Sequence, residues 1–238
     1  MMSQILCLWS GPRNISTAMM RSFSARTDTV CWDEPFFAAY LDRTGLDHPG
    51  REETLAECET DPETVVARII KPVQADYHFQ KHMAHHMIDG MPTDWMDQAR
   101  HVLLIRHPAR VIASYAKGRP DFVADDIGFP GLLALHSHIT DRQGRTPLVV
   151  DCDMILSDPE QALRAICQDG FDIPLDPAML QWEAGPREED GPWAPYWYRN
   201  VIASKGFGPP SGALPAVADR YAEIYASSLS AYNTLLAL

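Results

Sequence analysis

Long apolar runs are missing from this sequence. No stretch approaches the ~18 residues that a helix needs to cross a bilayer, so a membrane-spanning chain is not expected. Positive charge is also scarce: 20 Lys and Arg stand against 32 Asp and Glu, a formal net charge of −12. That balance disfavours nucleic acid and anionic membrane as partners, and an anionic ligand must meet a local cluster of arginines. Cysteine is sparse. Cys7, Cys31, Cys58, Cys152 and Cys167 are odd in number, widely spaced and free of C-x-x-C pairs, which favours a reduced, intracellular chain over a disulfide framework. The first strand begins almost at once, leaving no room for the charged and apolar regions of a secretory leader, so a cytoplasmic location is expected. Internal repeats and low-complexity segments are absent as well.

A chain of 238 residues that is 46% hydrophobic can bury a sizeable core, and one α/β domain over residues 1–238 is the expectation. The run from Ile5 to Arg21 reads as a buried strand through Trp9, a break at Gly11-Pro12, and a helix capped by Ser16 or Thr17 that continues through Met20 and Phe23. Backbone N–H groups without intrahelical partners then converge on one point, the helix dipole adds partial positive charge, and Arg13 brings a planar fork suited to phosphate or sulfate oxygens. The Walker A pattern is a poor fit, because neither the second glycine nor the lysine follows Gly11.

Val30-Cys31-Trp32 reads as a second strand, which places Asp33-Glu34-Pro35 at the sheet edge where open α/β folds bind ligands. Glu34 there is either a general base or the cap of the next helix, which runs through Leu41. Thr44 to Glu63 is a polar, acidic excursion or lid. Val65 to Val73 reads as a third strand delivering Lys71 to the same edge, where it either stabilises charge on a transferring group or is simply solvated. His78, His82, His85 and His86 are expected on a helix, with the first three sharing a face, as a packed or solvated face rather than a metal site. His101 to Ile105 is a strand followed by a helix started at Pro108, with Arg106 at the junction. Phe129 to Ile139 is helical. Leu148-Val149-Val150 is a strand ending in Asp151, which also mimics the magnesium-holding aspartate of ATP-dependent phosphotransferases. Asp158-Pro159-Glu160 starts a helix. Trp182, Trp193, Tyr196, Trp197 and Tyr198 crowd a loop region, most of them closing the core and at least one facing a pocket. Leu214 to Leu238 is expected as one amphipathic helix.

Several of these stretches resemble the sulfotransferases. Pro12, Arg13, Asn14, Ser16 and Thr17 fall on that family's 5′-phosphosulfate loop, Pro-Lys/Arg-Ser-Gly-Thr/Ser-Thr, with Ile15 in the glycine's place. Arg106, Pro108 and Ser114 match its 3′-phosphate motif, Arg-x-Pro-x-x-x-x-x-Ser, and Lys205-Gly206 weakly resembles its Arg-Lys-Gly loop. Asp33-Glu34-Pro35 looks like the Glu-Pro that supplies the base in several branches, and the passage around Asp153 to Glu160 looks like its Tyr-Glu-Asp-Leu-Leu-x-Asp-Pro-Glu segment. The resemblance implies a three-layer, mostly parallel sheet with helices on both faces, of the P-loop type. It implies sulfuryl transfer from 3′-phosphoadenosine-5′-phosphosulfate to a hydroxyl or amine of a small-molecule acceptor. Arg13 and the backbone of Asn14, Ile15, Ser16 and Thr17 would hold the phosphosulfate, and Arg106, Ser114, Lys205 and Gly206 the 3′-phosphate. Lys71 would assist the transfer, Glu34 would take the proton, and no metal is required. A magnesium phosphotransferase built on Asp151 and a catalytically silent nucleotide-binding protein are the alternatives.

Overall fold

The computed structural model describes residues 3–238. Five strands form one parallel sheet in the order β2-β3-β1-β4-β5: β1 (Gln4–Ser10), β2 (Thr29–Asp33), β3 (Tyr77–Met83), β4 (Ala99–Ile105) and β5 (Leu148–Asp151). The chain steps from β1 toward β2 and β3 on one side, then returns past β1 to β4 and β5. The strand order therefore reverses at β1, and the crevice beyond its C-terminal end is where such sheets bind ligands.

Alternate residues of β1 feed two cores. Leu6 and Leu8 face α1 (Ser16–Ser24), α7 (Cys152–Ser157) and α8 (Pro159–Ala165), packing with Met19, Phe23, Ile155 and Leu163. Ile5, Cys7 and Trp9 face the opposite layer, with Phe37 of α2 (Phe37–Thr44), Val65 of α4 (Pro62–Ile69), Leu132 of α6 (Phe129–Gln143) and Leu235 of α11 (Ala222–Leu236). Helices on both faces make the three layers that the sequence leads one to expect. α5 (Pro108–Tyr115) follows β4, and the excursion after α2 carries one helix, α3 (Arg51–Glu57).

The third strand is not where apolar letters place it. Val65 to Ile69 is helical, started by Asp61, whose carboxylate accepts from Thr64 N at 3.0 Å, with Pro62 in the first turn. The same Asp-Pro-Glu signature opens α8. β3 instead contains His78, Gln80, Lys81 and His82, all buried. Central position leaves no water for these groups, so they satisfy one another: Gln80 Nε2 lies 3.1 Å from His78 Nδ1, and Gln80 Oε1 lies 3.1 Å from His82 Nε2. Trp9 Nε1 donates to His101 Nδ1 at 3.0 Å, which leaves His101 Nε2 to donate to Met96 O at 2.9 Å. The histidines expected on a helix thus form a buried line through a strand, and His85 falls beyond it in a single helical turn, Ala84–His86. The last helix also starts later than expected, because prolines at 209, 210 and 215 keep the chain irregular until Asp219–Tyr221.

At the end of β1, Gly11 packs on Gly128, whose φ is +79°, ahead of α6. A Cβ on Gly11 would stand 2.3 Å from Ile127 O, a backbone atom with nowhere to go. Gly11→Ala should therefore cost about 1–3 kcal/mol and lower the thermal midpoint by several degrees at about 2–4 °C per kcal/mol, as differential scanning calorimetry would read. A second expectation concerns acid. Burial pushes His78 and His101 down to about 4 and holds His82 low. Below about pH 6.5 the unfolded chain takes up protons that these folded imidazoles refuse, so stability should fall from there to about pH 4, by about 1.4 kcal/mol per pH unit for each histidine. Urea midpoints at about pH 7.5 and about pH 5 measure that slope, and equal midpoints would contradict it.

Candidate functional site

A cavity of about 440 Å³ opens beyond the C-terminal ends of β1, β2, β3 and β4, a size suited to a small ligand. Its floor is the β1–α1 loop. Arg13 and Ile15 both adopt left-handed backbone, φ 65° and 52°, so the peptide turns sharply twice before α1 begins. For a β-branched residue this costs about 1–2 kcal/mol, and Ile15 offsets part of it by packing on the core beneath α1. Glycine would take this conformation freely, and Ile15 stands where the sulfotransferase loop has one.

Neither Ser16 nor Thr17 caps α1. Its N-cap is Ile15, and no side chain accepts a hydrogen bond from the first turn. The expected cap is corrected by this geometry, which leaves the first N–H groups and the positive end of the helix dipole directed at the cavity lined by Arg13 through Ala18. Asn14 braces the loop from below: Nδ2 donates to Leu104 O at 3.2 Å, while Cys152 Sγ lies 3.0 Å from Asn14 O. Asn14 Oδ1 is buried with no partner.

Arg106, at the end of β4, donates from Nη1 to Arg13 O at 2.9 Å, and Arg13 Nε donates to Ser114 Oγ of α5 at 2.9 Å. Among the described residues neither arginine has a carboxylate within 4.0 Å. Arg106 Nε is buried and unpartnered. Burial, and then the neighbouring Arg106 charge, pull Arg13 below the ordinary guanidinium value. Two cations without acidic partners thus stand beside an uncapped helix start, an arrangement whose chemistry suits an anion.

The opposite wall carries Glu34, also left-handed at φ 42°. Its side chain does not cap α2, whose N-cap is Phe36 without a side-chain bond. It binds Lys81 instead, Oε1 lying 2.7 Å from Nζ. Lys81 also sits 2.7 Å from Asp33 Oδ1 and donates to Tyr198 Oη at 2.6 Å, and Tyr198 Oη donates to Asp33 Oδ2 at 2.6 Å. Burial raises Glu34 above the usual carboxylate value, Lys81 lowers it, and Asp33 raises it.

Lys71 is not in the site. It is exposed in the turn after α4, because the apolar run before it is a helix and not a strand. The lysine delivered by the third strand is Lys81, which stands opposite Asp33 in the β2–β3 register and was hidden from sequence reasoning by the polar letters around it. Ser204, Gly206 and Gly208 line the cavity, whereas Lys205 is exposed and outside it. Trp193, Trp197 and Tyr198 face the cavity, while Trp182 is buried and donates to Ser204 Oγ at 3.1 Å. His48 from the polar excursion and His85 and His86 after β3 complete the aromatic wall; burial drives His85 to about 3 and keeps His86 low. Asp151 lies outside the cavity with both oxygens engaged, accepting from Asp153 N at 2.6 Å and Tyr232 Oη at 2.6 Å. That engagement corrects its reading as a magnesium ligand. Among the described residues no cluster of three His, Cys, Asp or Glu side chains is arranged for a metal ion, and no helix is long and apolar enough to cross a membrane.

Two Arabidopsis thaliana proteins named branched-chain-amino-acid aminotransferase-like protein 2 and 1 are each 36% identical over 233 residues, 98% of this chain. The chain spans 41% of the length of those relatives. Among solved structures, the sulfotransferase domain from the Synechococcus PCC 7002 olefin synthase matches 98% of this chain and 95% of its own, with a TM-score of 0.60 at 19% identity. A sulfotransferase from Alicyclobacillus acidocaldarius covers 100% and 96%, with a TM-score of 0.54 at 14% identity; at such identities the likeness is one of fold. The family model described as the sulfotransferase domain matches residues 3–237, and the chain belongs to that family.

Proposed function

We propose that the chain transfers a sulfuryl group from 3′-phosphoadenosine-5′-phosphosulfate to a hydroxyl or amine of a small-molecule acceptor. The observation that carries this reading is the placement of two arginines without acidic partners and an uncapped helix start in the same cavity as a carboxylate of raised pKa. The orphaned Arg106 Nε and the paired Arg13 and Ser114 fit a nucleotide bearing two separate anionic groups. In this scheme Arg13 and the N–H groups through Thr17 hold the phosphosulfate, and Arg106, Ser114 and the backbone near Gly206 hold the 3′-phosphate.

The donor supplies the activated sulfuryl group. The chain must align it with the acceptor, offset charge as the bond to the leaving phosphate breaks, and remove the acceptor's proton. Glu34 is suited to that last task, because Oε1 is held by Lys81 and Oε2 remains for the acceptor. The aromatic wall, with imidazoles kept neutral by burial, supports an acceptor carrying an apolar body. A cytoplasmic location is part of the proposal, supported by five cysteines that are all free.

Thermal unfolding with 3′-phosphoadenosine-5′-phosphate, compared with ATP and magnesium, tests the donor site. At a hundred times its dissociation constant a ligand adds about 2.7 kcal/mol, a shift of several degrees. A shift with the 3′-phosphorylated nucleotide and none with ATP and magnesium is expected, and the reverse result would move the reading to phosphoryl transfer. Arg106→Ala should weaken the 3′-phosphorylated nucleotide by about 1.5–3 kcal/mol, roughly ten- to a hundredfold, and an unchanged affinity in isothermal titration would remove Arg106 from the site.

A further inference from the structure

Lys81 faces as many oxygens as an ammonium has protons: Asp33 Oδ1, Glu34 Oε1 and Tyr198 Oη lie 2.7, 2.7 and 2.6 Å from Nζ. Two of these contacts, to Glu34 and Tyr198, are hydrogen bonds, and Asp33 Oδ1 meets the ammonium as a close ion-pair contact. Its side chain is 1% exposed, as is that of Asp33, while Glu34 keeps 11% and lines the cavity. The three residues are thus ordered, with the closed ion pair inside and Glu34 between it and the ligand space.

Charge bookkeeping follows from that order. With Glu34 ionised the cluster carries one excess negative charge, and with Glu34 protonated it carries none. The other titratable groups facing Glu34 do not alter this count. His86, on the turn after β3, has Nε2 3.9 Å from Glu34 Oε2 and is held neutral by burial. Tyr198, from the segment between α9 (Ala194–Trp197) and α10 (Arg199–Ile202), is held protonated by burial, donates a hydrogen bond to Asp33 and accepts another from Trp193 Nε1 at 3.0 Å.

We propose that Asp33 is a positioning residue that keeps Glu34 a usable base: it claims the charge of Lys81, so that the ammonium fixes Glu34 Oε1 in place without closing it into an inert ion pair. The inference rests on the reading of Glu34 as the proton acceptor. As the acceptor's oxygen or nitrogen bonds to the sulfuryl sulfur and the sulfur's bond to the leaving phosphate breaks, the acceptor's proton passes to Glu34 Oε2, and the neutral Lys81–Asp33 pair is left behind in the buried site. Without Asp33, the ionised Glu34 would be the sole partner of Lys81, and its protonation would strand a buried ammonium. Tyr198 serves the same arrangement from the C-terminal segment by occupying Asp33 Oδ2.

The test is a carboxyl titration by 13C NMR of the full chain labelled at the glutamate side-chain carboxyl carbon, with Glu34 assigned by the resonance that Glu34→Gln removes. It needs neither donor nor acceptor, so it reads the charge arrangement separately from nucleotide binding, and a failed nucleotide shift would sink the sulfuryl-transfer reading without touching this result. Asp33→Asn is isosteric and leaves Lys81 opposite Glu34. It should lower the Glu34 midpoint by about one pH unit or more, while Lys81→Met should raise it by a similar amount. A merely structural role for Asp33 would leave the midpoint of a folded variant in place. An unchanged or raised midpoint in folded Asp33→Asn would overturn the proposal, whether or not Lys81→Met folds.

Discussion

An ammonium ion buried in an interior strand of a parallel sheet has to find anions there, and the way Lys81 finds them organises one half of the molecule. Its partners come from β2 and from the C-terminal segment, so one side chain ties the sheet edge to the chain that walls the cavity. Breaking such a pair by removing one member commonly costs about 3–5 kcal/mol, because the survivor is left charged and dry. The cluster therefore fixes where Tyr198 sits, and with it the adjacent Trp193 and Trp197. The shape of the aromatic wall follows from an electrostatic requirement of the sheet.

The other half of the cavity shows the opposite treatment of charge. Arg13 and Arg106 are left without acids, the helix beside them is left without a cap, and Ile15 is held in a conformation that its branched side chain disfavours. Each of these is a local cost, and together they concentrate positive charge and free N–H groups in one region of the cavity. A chain with 32 acidic residues has many carboxylates to spare for these arginines, so their isolation is a property of the fold and not of composition.

Much of this was legible in the sequence, for identifiable reasons. β1, β4 and β5 announce themselves because their buried faces are built from Leu, Ile and Val, and Arg106 and Ser114 could be placed because Pro108 marks the helix start between them. β3 was not legible, since its buried positions are His, Gln and Lys whose polarity is satisfied by one another, which periodicity of apolar residues does not register. The misplacement of the third strand carried Lys71 into the site and left Lys81 out. The Asp61-Pro62-Glu63 start of α4 was the overlooked correction, being the same signature that identifies α8. The aromatic loop was legible only as composition; which of its rings face the cavity depends on contacts with Lys81 and Asp33 that lie far away in sequence.

The helix that follows the β1–α1 loop also anchors the segment that precedes Trp193. Arg21 pairs with Asp190 at 2.7 Å, both nearly fully buried, and Ser24 donates to Glu189. α1 is therefore a strut with the β1–α1 loop at its head and the segment that leads into Trp193 bolted to its far turns. Its length is consequently a fixed dimension: one inserted residue would swing Arg21 and Ser24 by about 100° relative to the loop and detach the wall. The polar excursion between α2 and α4 is tied to the same wall, His48 lying against Phe37 and Trp197 and Gly50 against Tyr196 and Trp193, so a residue inserted there would shift the lining of the cavity as well.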